Sequence, residues 1–245
     1  PNMRWDLALH TTISFLTNTN QQHYSGQAQL SHLSQMTGIV GLQMITPMMG
    51  LALVVATLRG LFYSHPQNST DQHDVVETKL NGLAPPKKEI LINELPINVG
   101  NYWADVIRPT CRFLMPLCMI WSLLLTSQGV PSTFAGGPTL QVLYQQAELT
   151  EQKIPLGPVS SMVAIKQLGS NGGGWYGPNS AVPFENPTPF SNMLELLAIF
   201  IIPMSVVFML GKFTQRRKFM LLVLGSMLLM SVLSTGLALW SEGYS

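Results

Sequence analysis

The chain has 245 residues, of which 47% are hydrophobic and only 10% are charged, and its formal net charge is +1. Soluble domains carry about 25% charged residues, so the composition is that of a membrane protein. The near-neutral balance, without a basic stripe interleaved with aromatics, argues against nucleic acid as a partner.

In chain order, the first apolar piece covers residues 7–16. It is too short to cross about 30 Å of hydrocarbon. The polar run Thr17-Asn18-Thr19-Asn20 follows it at once. Residues 36–58 then form a first membrane-length segment. Residues 63–101 are polar, with Pro85-Pro86 and mixed charges, and read as a cytoplasmic connector. A second span is expected over 111–126. It holds Cys111 and Cys118, about two helical turns apart and too far for a disulfide. No cysteine or histidine spacing indicates zinc. Residues 127–158 read as an outer loop marked by Gly129, Gly136, Gly137 and Pro138. A second short piece, 159–168, amounts to roughly 15 Å of helix. It leads into Leu168-Gly169-Ser170-Asn171-Gly172-Gly173-Gly174-Trp175-Tyr176. Spans three and four are expected over 193–210, with Pro203 inside, and 219–240.

Between these last spans lie Lys212, Arg216, Arg217 and Lys218 with no acid nearby. By the excess of basic residues on cytoplasmic loops, this turn is cytoplasmic, as is the connector, and 127–192 is outside. Half-helix, polar loop, full span thus occurs twice, a weak internal repeat in plan rather than in sequence. The expected division is 1–62 (pore helix, first filter segment and span), 63–109 (cytoplasmic connector), 110–210 (span, outer loop, pore helix, filter and span) and 211–245 (cytoplasmic turn and the first span of a next repeat). The chain opens on Pro1 and closes soon after an apolar run, which reads as an internal piece of a longer protein.

Irregular backbone at membrane depth survives only where protein or a wet cavity surrounds it. Consecutive glycines can turn carbonyl oxygens toward a common axis and replace the water shell of a potassium ion. The negative end of each half-helix dipole favours a cation at the same place. Thr17, Thr19 and Ser170 can add hydroxyl oxygens, while Asn18, Asn20 and Asn171 read as scaffolding amides. The glycines match neither GxxxxGK[ST] nor a post-strand GxGxxG, so they are not a phosphate cradle. Glu185 is expected in the outer vestibule, either drawing cations to the mouth or fixing the loop through local amides. His23 reads as packed or solvated. Lys166 is expected to be structural, paired or facing away from the filter, and Glu195 to sit at the interface or pair within the bundle.

Several stretches carry a family resemblance. They are Ser14-Phe15-Leu16-Thr17-Asn18-Thr19-Asn20 with Gln22 and Tyr24-Ser25-Gly26, then Leu33-Ser34-Gln35-Met36, Gly157-Pro158-Val159, Ala164-Ile165-Lys166, the glycine run, and Pro183-Phe184-Glu185-Asn186-Pro187-Thr188. In these the chain resembles the potassium-binding, pore-forming A subunit of the bacterial Kdp-type potassium-transporting ATPase. The resemblance implies an all-α membrane protein of pore-loop repeats (span, half-helix, filter, span) related to potassium channels, with two of four filter segments present. It implies filter residues Thr17, Asn18, Thr19, Asn20, Gln22, Ser170, Asn171, Gly172, Gly173 and Gly174, with potassium bound and no organic cofactor. It implies a subunit that is not itself an enzyme. Its expected partners are an ATP-hydrolysing B subunit, a C subunit and a small accessory peptide in the bacterial inner membrane. Ser170 stands where threonine is usual, His23 for a small polar residue, Val182 for a common histidine, and Gly177-Pro178 for Asn-Ala.

Two other readings share parts of this pattern. A Trk/Ktr/HKT-like potassium transporter uses the same pore-loop plan without a dedicated ATPase. A membrane scaffold that conducts nothing would tolerate side chains at the glycines. An ATP-binding enzyme is excluded by the absence of a nucleotide motif and of a phosphorylation motif such as DKTGT.

Overall fold

The computed structural model describes residues 3–62, 99–142, 151–172 and 174–243. Residues 63–98 of the expected connector, and Gly173 of the expected filter, lie outside the described residues. Helix α1 covers Trp5–Leu16. Helix α2, His32–Phe62, is the first of four helices among the described residues that are long and apolar enough to cross a membrane. The others are α3 (Tyr102–Ser127), α5 (Pro189–Thr214) and α6 (Arg217–Gly243). The short helix α4, Val159–Leu168, lies between α3 and α5.

All four long helices extend past the apolar runs that predicted them, because capping rather than hydropathy sets a helix start. The Ser31 side chain accepts the Ser34 N–H ahead of α2, and Asn101 does the same for Ala104 ahead of α3. Helix α3 therefore begins inside the stretch read as connector. Its first turns carry Asp105 and Arg108, which hid them from a hydropathy reading. Thr188 and Ser191 form a reciprocal capping box ahead of α5, with Pro189 in the first turn. Wider π turns interrupt α2 at Gln35–Ile39 and α3 at Thr110–Leu114. The stretch expected as an outer loop also contains a short hairpin not foreseen from sequence. Thr139–Gln141 pairs antiparallel with Glu151–Lys153, Thr139 opposite Lys153.

The core forms around α4, whose ten residues are buried except Ser161. Helices α2, α3 and α5 all pack against it. Ser122 of α3 and Ser160 of α4 share a hydroxyl hydrogen bond of 3.0 Å. Trp121 Nε1 donates to Leu194 O, tying α3 to α5. Helix α1 packs against α2 and buries only Thr11, Ser14 and Phe15. Helix α6 packs along α5 through Gly211 and Met220 and buries none of its own residues.

Candidate functional site: two facing loops at the ends of short helices

The two short helices end in the same way although their sequences differ. In α1 the Thr17 N–H donates to Ile13 O, Asn18 N–H to Phe15 O and Thr19 N–H to Ser14 O. In α4 the Gly169 N–H donates to Ile165 O, Ser170 N–H to Gln167 O and Asn171 N–H to Lys166 O. Each set contains the 6→1 and 5→2 bonds of a Schellman stop. Such a stop needs a left-handed residue, and Asn18 (φ 58°) and Ser170 (φ 54°) supply it. Asn20 is left-handed too, at φ 51°. Asparagine tolerates this region because its short amide can bond locally, whereas serine there costs about 1 kcal/mol or more. The repeated stop aligns Thr17 with Gly169, Asn18 with Ser170 and Thr19 with Asn171.

The loops that follow meet each other. Asn20 Nδ2 donates to Asn171 Oδ1 at 3.0 Å and to Asn18 Oδ1 at 3.2 Å. A Cβ on Gly172 would stand 2.7 Å from the Asn20 carbonyl oxygen, so this approach requires glycine. Thr17 and Thr19 are exposed, and their hydroxyls are 2.8 Å apart. Gln22 instead turns to its own segment and donates to Tyr24 O.

Helix α2 supplies partners that the sequence reading missed. Thr46 Oγ1 donates to Asn18 Oδ1, and Gln43 Nε2 to Gly172 O at 3.3 Å. Gln43 O accepts Asn171 Nδ2, and Ile199 O of α5 accepts Ser170 Oγ at 3.2 Å. Gln43 is fully buried in a lipid-length helix, and that polar anomaly was the available signal. On the α5 and α6 side an open cavity of about 480 Å³ reaches the loops. Asn18, Gly169 and Ser170 line it, together with Pro47, Leu51, Pro203 and Met227.

Glu185 corrects one expectation. It is fully buried rather than facing a vestibule, pairs with the Lys166 ammonium and accepts the Tyr176 N–H at 2.8 Å. A buried lysine requires such a partner, which accounts for Lys166 so close to the loop. Glu185 therefore holds the loop's exit, as in the local-amide reading of it. Glu195, also buried, accepts from Gln167 Nε2, which bridges it to Ser180. Tyr176 donates its hydroxyl to Pro155 O. Burial first, and then the Glu185 charge, push the Tyr176 phenol up to about 12. The same causes, in the same order, raise Tyr24.

Helix C-termini, hydroxyls and loop carbonyls, with the nearby Lys166 charge paired to Glu185, suit a weakly hydrated monovalent cation. Among the described residues no cluster of three or more His, Cys, Asp or Glu could hold a transition metal.

The family model for the potassium-transporting ATPase A subunit matches residues 1–245. The potassium-transporting ATPase potassium-binding subunit of Pseudomonas aeruginosa is 40% identical over 245 residues, which covers 99% of this chain and 37% of that protein. The subunit of the same name from Pseudomonas putida is 39% identical over 242 residues, with the same coverage of 99% and 37%. That from Gloeobacter violaceus is 37% identical over 248 residues, 98% of this chain and 37% of that protein. The chain therefore spans 37% of the length of these relatives.

Proposed function

The chain belongs to the potassium-transporting ATPase A subunit family, and from that premise we propose that it binds and selects potassium as part of the ion-conducting subunit of an ATP-driven uptake complex. The observation that carries this is the pair of identically terminated half-helices whose loops meet through Asn20 and Asn171. Thr17, Asn18, Thr19 and Asn20 then form one filter segment, with Gln22 at its margin, and Ser170, Asn171, Gly172, Gly173 and Gly174 a second. The first comprises 1–62 with its span. The second lies within 110–210, with 63–109 as the cytoplasmic connector and 211–245 as a cytoplasmic turn followed by the first span of a next repeat. The ion sheds water onto carbonyl and hydroxyl oxygens between the loops and passes inward toward the cavity below.

In this proposal ATP is hydrolysed by a separate B subunit. A C subunit and a small accessory peptide complete the assembly in the bacterial inner membrane. The family match favours this reading over a Trk/Ktr/HKT-like transporter.

The test is ATP hydrolysis by the purified complex, containing the full-length subunit that carries this chain, titrated with potassium and with sodium. Stimulation by potassium well below any sodium response is expected. Equal response to both ions, or to neither, would refute the proposal.

A further inference from the structure

Both helices that flank the second loop carry an internal proline, Pro47 in α2 and Pro203 in α5. A proline lacks the N–H that would bond the carbonyl four residues earlier, and so leaves that carbonyl free. For Pro47 the freed group is Gln43 O; for Pro203 it is Ile199 O. These are the two carbonyls that receive the loop's side chains. Asn171 Nδ2 donates to Gln43 O at 3.0 Å, and Ser170 Oγ donates to Ile199 O at 3.2 Å. Consecutive loop residues are thus hung on two proline-made acceptors, one on each side.

We propose that Pro47 and Pro203 are positioning residues for potassium selection, each exposing a helix carbonyl that anchors one side chain of the Ser170–Asn171 turn. The inference rests on the reading of this loop as a filter segment. Two further features support it. Ser170 holds a left-handed conformation that serine adopts only under constraint, and its bond to Ile199 O supplies an anchor. The Pro47 ring also lies against Gly169, where an added Cβ would come within 2.8 Å of Pro47 Cγ. The proline therefore touches the turn as well as serving it through Gln43.

The direction of the expected effect separates this role from a structural one. Pro47→Ala and Pro203→Ala restore a helix hydrogen bond and raise helix propensity, so a structural account expects equal or better stability and unaltered ion dependence. The positioning account expects the restored N–H to compete for the carbonyl and, by closing the helix at that turn, to draw it inward and weaken the loop's anchor.

In the assembled complex with full-length subunit, we expect each variant to raise the half-stimulating potassium concentration about five- to tenfold, the loss of one anchoring hydrogen bond. Maximal ATP hydrolysis should stay within about twofold, because the anchors act on ion binding. Ser170→Ala should raise the half-stimulating potassium concentration at least as much as Pro203→Ala, and adding Pro203→Ala to it should raise it no further, since both act on the same bond. Potassium dependence unchanged in assembled Pro47→Ala and Pro203→Ala overturns the proposal, as does full additivity of Ser170→Ala with Pro203→Ala. If Pro203→Ala does not assemble, Ser170→Ala decides its arm, and if Pro47→Ala does not, Asn171→Ala decides the other: unchanged potassium dependence overturns that arm. A wild-type complex indifferent to potassium would refute the filter reading itself, before any variant is compared.

Discussion

At the residue scale the buried Lys166–Glu185 pair matters most, because charge so close to the proposed filter must be neutralised locally. Replacing Lys166 with methionine leaves the carboxylate buried without its partner, at a cost of about 3–5 kcal/mol. Lys166→Met should therefore lower the yield of assembled complex sharply. Lys166→Met with Glu185→Gln keeps an acceptor for the Tyr176 N–H and should recover it, as size-exclusion profiles would show. Failure of the double variant to recover would mean that the charges themselves are needed. Tyr176 offers a pH test. Its phenol is raised to about 12 from an ordinary value near 10, so its neutral form is favoured in the folded state. Its contribution is fully present below about pH 10 and is lost as pH rises toward about 12. Melting temperatures should show wild type above Tyr176→Phe at neutral pH, by the roughly 1 kcal/mol of its bond to Pro155 O. The gap should close in strongly alkaline buffer. A gap independent of pH would show that the phenol is not protected. The polar pattern of the loops was legible in the sequence; the burial of Glu185 was not. Its partner lies nineteen residues away, and nothing in a linear reading says which face of a loop will be covered.

At the scale of elements, α4 was readable to its last residue because Pro158 and Gly169 bracket a short apolar run. The long helices were readable as spans but not in their ends. Hydropathy falls at polar caps such as Asn101 and Ser31, while the helical hydrogen bonds continue. The tie between α2 and α3 was likewise hidden, since Arg59 and Asp105 are far apart in sequence. Arg59 donates to both Asp105 and Val99 O. This pair is only partly buried, so Asp105→Asn should cost about 1 kcal/mol or less and leave potassium dependence unchanged. A large shift in ion dependence would mean that this end of the bundle is coupled to the loops. The identical stops of α1 and α4 explain why the internal repeat is faint. Backbone hydrogen bonds specify the stop, and Asn18 and Ser170 satisfy it with different side chains.

At the scale of the molecule, the described residues give four membrane-length helices and two short helices whose loops are joined through the amides of Asn20 and Asn171. The composition alone indicated a membrane chain, and the glycine run marked one of the two loops that meet. The anchors from α2 and α5 depend on three-dimensional packing, and prolines mark them only once the helix register is known. The central claim is that the meeting of these loops selects potassium. Gly172→Ala tests it most directly, because a methyl group there would stand 2.7 Å from the Asn20 carbonyl oxygen and force the loops apart. Potassium should be titrated against ATP hydrolysis in complexes containing the full-length wild-type or Gly172→Ala subunit. The account predicts a half-stimulating concentration at least about tenfold higher in the variant, equivalent to about 1.4 kcal/mol of binding, with discrimination against sodium reduced. An assembled Gly172→Ala complex with wild-type potassium dependence and wild-type discrimination would contradict it.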